Sequence, residues 1–396
     1  ICLLYLRSWD MKSNYNQLGQ YIEMVSRINS DLKYGIEDVR GCSNTKQMMQ
    51  TRANLIGRTY EKFIVLRPQE FVFNRRTTRN GEKIGMAYNN TDREYIFTND
   101  YVAFRVKQEY LDKLLPDYLY MFFCRDEFDR YARYKSTGSA TEFFNWEDMC
   151  AVPFEIPPMD FQQLVVNAYK VLNERIETKQ KINDNLATQA LTLFSDFVSH
   201  RSKKLEQRKL GDVIASANTG GDAIQKVPIV DYDTGIKCAR VGDITNAREY
   251  ASWAFCNASK SVYDNYKLQA GNILVTRTST LGITQYIAKD ISAVYNNGLI
   301  RLKVDDTNAL SLYIYWAMKT SDFLNYINQM NSATSVRPNM KIDYLLNYQL
   351  SIPSIEEQTQ FTNAVEPLMK AISLNNDEIL KLSEFQAIIL TTLSSR

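Results

Sequence analysis

Two stretches of the sequence, "IPPMDFQQLV" at 156–165 and "IPSIEEQTQF" at 352–361, share an Ile-Pro pair, then an acidic residue, then a glutamine. Their prolines, Pro157 and Pro353, lie 196 residues apart in a chain of 396 residues. Each stretch stands at the head of a long run with helical periodicity. A spacing of half the chain indicates an internal duplication.

The duplication extends upstream of both prolines. The stretch "DYLYMFFCRDEFDRY" at 117–131 aligns with "LYIYWAMKTSDFLNY" at 312–326, and tyrosine or phenylalanine coincides at four positions. Further upstream, "QEFVFNRR" at 69–76 resembles "AGNILVTR" at 270–277. Two copies are too few for a solenoid, so the repeat predicts a pseudo-twofold arrangement of two equivalent parts.

Both predicted helices carry an apolar seam with alternating steps of four and three residues. This period of 3.5 is typical of helices that supercoil against a partner. The alternative is that each is an amphipathic helix packed on its own domain. Polar residues that can set the register of a coiled coil interrupt both seams, at Lys179, Asn183, Asn375 and Gln386. The predicted seam residues are Leu172, Ile176, Leu186 and Leu193 in the first helix and Leu368, Ile372, Leu382 and Ile389 in the second.

The parts between the helices mix β-branched and aromatic residues with turn signals, which indicates short strands and a few short helices. The fold class is therefore α+β: two globular mixed α/β domains separated by two long helices that form a coiled-coil spacer. Pro157 and Pro353 are expected in the first turn of each helix, where proline is tolerated. The predicted boundaries are 1–155 for the first domain, with 1–10 as a candidate extension, 156–200 for the first helix, 201–351 for the second domain and 352–396 for the second helix.

Composition narrows the function. The cysteines form no CxxC pair, so neither a zinc site nor a disulfide framework is indicated, and a cytoplasmic protein is expected. No run of residues is apolar enough for a membrane span. Residues 40–83 hold ten basic and three acidic residues, whereas 352–396 hold three basic and six acidic residues. Charge segregated in this way suits a polyanionic partner for the first segment only.

Signs of catalysis are missing from the sequence. It contains no GxxxxGK[ST], GxGxxG, HExxH or GxSxG motif. The one histidine, His200, follows the first long helix with no nucleophile or metal-ligand pattern around it. The chain therefore looks like a recognition protein rather than an enzyme, and no metal site is predicted.

The ordered repeat of domain, Ile-Pro stretch and helix resembles the specificity subunits of Type I restriction-modification systems. The resemblance covers the chain from about Tyr15 onward, although Phe161 stands in the first Ile-Pro stretch where Glu357 stands in the second. It implies a non-catalytic DNA-binding subunit. In that family the two helices pack antiparallel as a spacer, and each recognition domain reads one half of a bipartite, asymmetric site.

The resemblance also implies partners. Two methyltransferase (modification) subunits would bind S-adenosylmethionine and methylate adenine, and restriction and translocase subunits would use ATP and Mg²⁺. No cofactor is expected in this chain. On the helices, charged residues away from the seam could contact the methyltransferase subunits, although such faces are usually just solvated. The candidates are Glu174, Arg175 and Glu378.

The strongest candidates for contact with double-stranded DNA lie in "NRRTTRNGEK" at 74–83: Arg75, Arg76, Thr77, Arg79 and Lys83. The arginine fork matches guanine O6 and N7 in the major groove, while lysine and threonine more often contact phosphate. A solvated hairpin tip is the alternative. Arg75 aligns with Arg277, so either could instead be structural.

Further candidates lie in a second basic stretch and in hydroxyl-rich loops at matching places of the two copies, which ordinary turns explain almost as well. They are Lys46, Arg52 and Arg58; Lys135, Ser136, Thr137 and Ser139; Arg240, Asn246, Thr276, Arg277 and Thr278; and Ser332, Thr334, Ser335, Arg337 and Asn339.

Two rival functions remain open on the sequence alone. A fused DNA-modifying enzyme with unrecognised motifs would bind S-adenosylmethionine or a divalent metal by itself. A coiled-coil adhesin or scaffold would show no salt-dependent affinity for duplex DNA.

Overall fold

The computed structural model describes residues 16–43, 45–51, 55, 57–76, 83–137, 142–200, 206–333 and 339–393. The chain divides into two compact units. The first unit combines the chain up to Arg175 with the segment from Leu382 onward, and the second is Ile176–Lys381. Several predicted residues lie outside the described ranges: 1–10, Arg52, Thr77, Arg79, Ser139, Thr334, Ser335 and Arg337.

The first unit is built on an antiparallel four-stranded sheet in the order β2-β9-β6-β7, with three two-stranded pairs, β1-β10, β3-β4 and β5-β8. Its strands are β1 (Asn16–Gln17), β2 (Ile22–Val25), β3 (Arg40–Cys42), β4 (Met48–Gln50), β5 (Ile64–Leu66), β6 (Phe71–Asn74), β7 (Met86–Tyr88), β8 (Tyr95–Phe97), β9 (Tyr101–Val106) and β10 (Pro153–Phe154). Its short helices are α1 (Pro116–Phe123), α2 (Asp126–Lys135) and α3 (Trp146–Cys150).

Strand β6 shows why the strands of this unit have nearly continuous apolar sequences. Phe71 and Phe73 pack with Phe104 and Phe123 on the side of the helices. Val72, between them, packs in a separate cluster on the opposite face of the sheet. Both faces of the central strand are therefore buried, which removes the alternation expected of a half-exposed strand.

The second unit repeats this construction and adds a second sheet. Its four-stranded sheet has the order β12-β19-β16-β17, a second sheet has the order β13-β15-β14-β18, and β11 pairs with β20. The strands are β11 (Glu206–Lys209), β12 (Ile214–Thr219), β13 (Ile229–Val230), β14 (Lys237–Ala239), β15 (Phe255–Cys256), β16 (Ile273–Thr276), β17 (Thr284–Tyr286), β18 (Ala293–Tyr295), β19 (Leu299–Val304) and β20 (Gln349–Ile352).

The described part of the second unit has five short α-helices, and the last three follow the same order as those of the first unit. The five are α5 (Val241–Thr245), α6 (Lys260–Tyr266), α7 (Ser311–Ala317), α8 (Ser321–Ala333) and α9 (Ile342–Leu346). The run of α7, α8, α9, β20 and a long helix matches the run of α1, α2, α3, β10 and a long helix. The internal duplication predicted from the sequence is thus present in the fold.

The long helices are α4 (Met159–Ser199) and α10 (Ile355–Thr392). Both begin two residues after the proline, so the expectation that Pro157 and Pro353 occupy the first turn is wrong. Ser354 caps α10 instead: its hydroxyl accepts a hydrogen bond from the backbone N–H of Glu357 (3.3 Å), whose carboxylate accepts one from the N–H of Ser354 (3.1 Å). This is a capping box, which satisfies free N–H groups at the helix start.

Within each unit the segment of α4 lies antiparallel to the segment of α10. In the second unit, the side chain of Lys179 donates to Asn375 (2.9 Å) near one end, and Phe194 packs on Phe361 (ring centroids 5.3 Å apart) near the other. In the first, Gln386 donates to Asn173, and Leu393 shares a core cluster with Val165. The helices are therefore paired, as the seams predict.

The predicted seam residues are half-buried or buried with one exception. The residues with half-buried or buried side chains are Leu172, Ile176, Leu186, Leu368, Ile372, Leu382 and Ile389. Leu193 is 41% exposed, and its neighbour Phe194 is buried at that level of the helix pair. The prediction for Leu193 is wrong because Phe194 packs on Tyr313 as well as Phe361, so the inward face of α4 turns toward the second unit's core.

The polar interruptions of the seam bond to one another. The Asn375 amide donates to the Asn183 carbonyl oxygen (2.8 Å), and the Asn183 amide donates to that of Asn376 (2.6 Å). Lys179 also pairs with Glu378 at 2.8 Å. Since buried polar groups cost free energy unless they are paired, this layer favours one register of the two helices.

The glutamine of each Ile-Pro stretch anchors its helix to the adjacent domain. Gln162 and Gln358 are both fully buried. The Oε1 of Gln162 accepts from the N–H of Leu115 (2.9 Å), and the Oε1 of Gln358 accepts from the N–H of Leu310 (2.7 Å). Each Nε2 donates to the carbonyl of the motif proline, at 2.8 and 2.9 Å. The repeated sequence thus encodes a repeated joint between helix and domain.

Candidate nucleic-acid interface

In the first unit, the end of strand β6 meets the loop between α2 and α3. The carbonyl of Arg75 accepts a hydrogen bond from the N–H of Phe144 (2.9 Å), and Arg76 forms an isolated β-bridge with Phe143. Thr137 pairs with the same Phe143 through two backbone bonds of 3.2 and 2.9 Å. The structure therefore brings the predicted arginines beside the predicted hydroxyl-rich loop, although the sequence separates them by about 60 residues.

These residues are exposed. Arg75, Arg76 and Thr137 all face solvent, and Arg76 forms a surface ion pair with Asp100 (3.3 Å), which is itself 56% exposed. Exposed ion pairs contribute little to stability, so this arginine can exchange its carboxylate for a phosphate or a base edge at small cost.

The second unit has the same arrangement at the end of strand β16. The carbonyl of Arg277 accepts from the N–H of Met340 (2.8 Å), and Thr278 forms an isolated β-bridge with Asn339. Arg277 occupies the place of Arg75, which supports the alignment of the two residues. Its guanidinium donates to the carbonyls of Met340 (3.1 Å) and Asn297 (3.1 Å) and so joins the two segments that carry these residues.

Gly298 lets two candidate segments approach each other. A Cβ at Gly298 would lie 2.5 Å from Val241 Cγ2 and 3.0 Å from Thr278 Oγ1, so a larger residue would push these segments apart. Arg240, which precedes Val241, donates from Nε to Asp243 (3.0 Å), and the side chain of Asn246 donates to the carbonyl of Gly242 (2.6 Å). Both predicted residues thus hold helix α5 in place, with Asn246 exposed and Arg240 half-buried.

Two predicted residues lie in the interior. Thr276 is fully buried, and its hydroxyl accepts from the N–H of Ile283 (2.9 Å). Lys46 is 3% exposed; it forms an ion pair with Asp129 and donates to the carbonyl of Ile84 (2.9 Å). Desolvation lowers the pKa of Lys46, although the carboxylate of Asp129 opposes that shift. These positions favour structural roles for both residues.

The remaining predicted residues of the first unit are on or near the surface. Lys83 is half exposed and lies 3.6 Å from Asp126. Lys135 lies near the rings of Tyr131 and Tyr134, at 5.9 and 5.8 Å from the ring centroids. The hydroxyl of Ser136 donates to the carbonyl of Ala132 (2.7 Å), which ends helix α2. Arg58 is exposed, and Ser332 lies in helix α8 of the second unit.

The predicted partner-binding residues differ in exposure. Glu174 and Arg175 face solvent on α4, whereas Glu378 is half-buried beside Lys179 in the polar layer. Glu378 therefore contributes to the pairing of the helices within the second unit. Among the described residues, no group of histidine, cysteine and acidic side chains could hold a metal ion, and no helix is long and apolar enough to cross a membrane.

Sequence reasoning missed two exposed side chains close to the candidate surfaces. Tyr134 is 82% exposed at the end of α2, next to an ion pair between Arg133 and Glu142 (2.6 Å). Ile224 is 83% exposed in the loop after β12. A surface tyrosine or isoleucine has no periodicity that marks it, so only the fold reveals these two.

Comparison with known proteins identifies the class. Residues 202–384 match the family described as Type I restriction modification DNA specificity domain. This segment, which contains most of the second unit, therefore belongs to that family of domains. No match to the chain is found among curated proteins.

One solved structure shares the fold of almost the whole chain, and two others show a weaker likeness. The crystal structure of the S subunit of a Type-I restriction-modification system from M. genitalium is 13% identical, covering 97% of this chain and 98% of that one, with a TM-score of 0.51. A structure concerned with assembly and conformational transition of the type I R-M system is also 13% identical, with a TM-score of 0.40. The HsdS subunit from Thermoanaerobacter tengcongensis is 15% identical, with a TM-score of 0.33.

The family match and the fold shared with the M. genitalium subunit confirm the resemblance to specificity subunits of Type I restriction-modification systems. The chain as a whole has the fold of such a subunit, with the α+β architecture predicted from its repeat, and the family assignment covers residues 202–384. Subunits of this family are non-catalytic, since catalysis resides in the other subunits of such systems.

Proposed function

We propose that the chain recognises a bipartite, asymmetric site in double-stranded DNA, with one half-site read by each unit. The observation that carries this proposal is the duplicated surface described above. The same backbone bonds, Phe144 to Arg75 and Met340 to Arg277, build a surface at the same end of the central sheet in both units. One unit belongs to a DNA specificity family by sequence, so its structural duplicate is expected to have the same task.

The two surfaces differ in chemistry, which is what an asymmetric site requires. The first presents Arg75, Arg76 and Thr137, whereas the second presents Thr278 and Asn339, with Arg277 half-buried and bonded to the carbonyls of Met340 and Asn297. Arginine favours guanine, and asparagine favours adenine through its bidentate amide. Different residues at equivalent positions would therefore select different half-sites.

The proposal extends to partners. The chain positions two adenine-methyltransferase subunits on the DNA, which bring S-adenosylmethionine, together with restriction and translocase subunits, which use ATP and Mg²⁺. Glu174 and Arg175 are the exposed helix residues through which we propose that α4 contributes to methyltransferase contact.

Duplex binding by the full chain tests the DNA proposal. Affinity should fall steeply as salt increases, because neutralised phosphates release counterions. Arg76→Ala should weaken binding by about 1–3 kcal/mol if Arg76 reads a base, with discrimination lost in one half-site only. Arg130→Ala is a matched control, since Arg130 is a 70% exposed arginine of α2 that pairs with Glu127.

The two variants separate specific recognition from general charge. Equal effects of Arg76→Ala and Arg130→Ala would show that only net charge matters. A wild-type chain without salt-dependent affinity for duplex DNA would contradict the proposal as a whole and favour a protein-binding scaffold.

A further inference from the structure

The loop after strand β12 presents an apolar side chain in an unusual setting. Ile224 is 83% exposed, the highest value among the large hydrophobic side chains of the described residues that face solvent. Its neighbours Ala223, Gln225 and Lys226 are exposed as well. An isolated surface isoleucine needs no explanation by itself. This isoleucine differs from an ordinary surface residue in the construction and the position of its loop.

The loop is rigidly built. The Asp222 carboxylate accepts hydrogen bonds from the N–H groups of Ile224 (2.9 Å) and Gln225 (2.8 Å), and these bonds lower the pKa of Asp222. The carbonyl of Asp222 accepts two more, from Lys226 and from the buried Val227, both at 3.0 Å. These bonds restrain the backbone of the tip that carries Ile224, which reduces the backbone entropy lost on binding.

The backbone at the base of the loop packs closely against the sheet. A Cβ at Gly220 would lie 2.2 Å from the carbonyl oxygen of Tyr295, so only glycine fits there. The N–H of Gly221 donates to the same carbonyl (3.0 Å). The Gly-Gly pair thus fixes where the loop leaves the sheet.

Direct hydrogen bonds join this loop to the candidate DNA surface of the second unit. The carbonyl of Gly221 accepts from the N–H of Asn297 (2.9 Å). The carbonyl of Asn297 in turn accepts from Arg277 (3.1 Å), which braces the segment carrying Thr278 and Asn339. The loop that carries Ile224 therefore leaves the sheet at the same end as the segment with the candidate DNA-binding residues Thr278 and Asn339.

A cation flanks the apolar tip. Lys226 Nζ lies 3.3 Å from the hydroxyl of Tyr266 and is exposed. Proteins that kink duplex DNA often insert an apolar side chain between base pairs, and lysines commonly contact phosphate, so an apolar tip beside a cation is compatible with this mode of binding.

The first unit also carries an exposed apolar side chain at this end of its sheet. The segment that leaves β2, at the same end of its sheet as Arg75, carries Leu32, which is 58% exposed and has a φ of 53°. A leucine in the left-handed region costs about 1–2 kcal/mol per residue. Strain at an exposed apolar position is often associated with function.

Resting on the proposed DNA recognition, we propose that Ile224 is a wedge residue of the second unit, which enters a base step of the duplex and selects half-sites that are easily unstacked. Pyrimidine–purine steps are the expected targets because they deform most readily. This contribution to specificity requires no hydrogen bond to a base.

The experiment uses the full chain assembled with its methyltransferase partner subunits and duplexes enriched by that complex from a randomised pool. Single 2-aminopurines placed along the duplex report unstacking, and dyes at both ends report bending. Ile224→Ala should abolish the fluorescence rise at one step, reduce the bend and weaken binding about tenfold. Ile224→Leu should retain all three properties.

Two controls make the result specific. Ile355→Ala truncates an isoleucine of α10 that is 39% exposed and lies outside the candidate surfaces, and it should leave binding and bending unchanged. The dependence of affinity on salt should be the same for Ile224→Ala and the wild type, since no phosphate contact is removed.

The outcomes separate this inference from the proposed function. If the wild type binds duplexes with salt-dependent affinity and Ile224→Ala binds and unstacks them equally well, the wedge is refuted and the DNA recognition stands. If the wild type binds no duplex, both fail together.

Discussion

The buried glutamine at the start of α4 provides a quantitative test of how the helix is joined to its domain. Gln162 makes three hydrogen bonds to backbone groups: it donates to the carbonyls of Lys113 (2.7 Å) and Pro157 (2.8 Å) and accepts from the N–H of Leu115 (2.9 Å). Gln162→Leu keeps most of the side-chain volume and removes all three bonds. At about 0.5–1.5 kcal/mol for each bond, the first unit should lose about 2–4 kcal/mol of stability.

Hydrogen exchange measured by mass spectrometry is the appropriate assay, because unfolding of a chain with two units need not be a two-state process. Protection of the peptide containing Leu115 should fall by about 30-fold or more in Gln162→Leu. Gln163→Leu is the matched control: Gln163 is the next residue, is exposed, and bonds only to the side chain of Asn167 (2.9 Å). Equal protection in the two variants would refute the assigned role of Gln162.

Three further predictions concern the second unit and the helices. Desolvation lowers the pKa of Lys319 from 10.5 to about 8, so the unfolded chain binds more protons than the folded chain between about pH 8 and pH 10.5. Lys319→Met should therefore be more stable than the wild type at pH 7. Denaturant titrations should show that this difference in unfolding free energy shrinks as the pH rises, by at most about 1.4 kcal/mol per pH unit. An advantage that does not change with pH would contradict the assignment. Asn183→Leu alone should destabilise the helix pair, because it leaves the side-chain N–H of Asn375 and the side-chain oxygen of Asn376 without this partner. Asn375→Leu in addition removes one of these two unpaired groups, so a double-mutant cycle of unfolding free energies should show a combined loss smaller than the sum of the two single losses. Additive losses would exclude the polar layer as a unit. Insertion of one helical turn, about 5.4 Å, into both long helices should lengthen the unspecified DNA between the two half-sites by about one or two base pairs. If the methylation pattern shows an unchanged distance between the half-sites, the long helices do not set that distance.

The sequence was sufficient for the architecture because the duplication supplied an internal comparison. Paired seams predicted paired helices, and the polar residues within them, Lys179, Asn183 and Asn375, do bond across the pair. The error at Leu193 arose because a heptad pattern assumes that each helix faces only its partner. Near Phe194 the helix also packs on the core of the second unit, which turns its inward face by one position.

The site was less predictable, since residue type does not reveal burial. Lys46 belongs to a basic stretch of the sequence, yet it lies inside the first unit because Asp129, distant in sequence, compensates its charge. Conversely, Arg76 and Thr137 are joined through Phe143, a contact that no local pattern encodes. The sequence shows Gln162 and Gln358 at equivalent positions of the two Ile-Pro stretches. Their role, however, depends on the backbone N–H groups of Leu115 and Leu310, which only the fold brings close to them.

The most direct test of the central claim is the methylome of a host that carries this subunit with its methyltransferase partner. Two units that each read a half-site predict one motif made of two different blocks of fixed bases, separated by a constant number of unspecified base pairs, with a methylated adenine in each block. A single uninterrupted motif, or methylation that does not depend on the presence of this chain, would contradict the account.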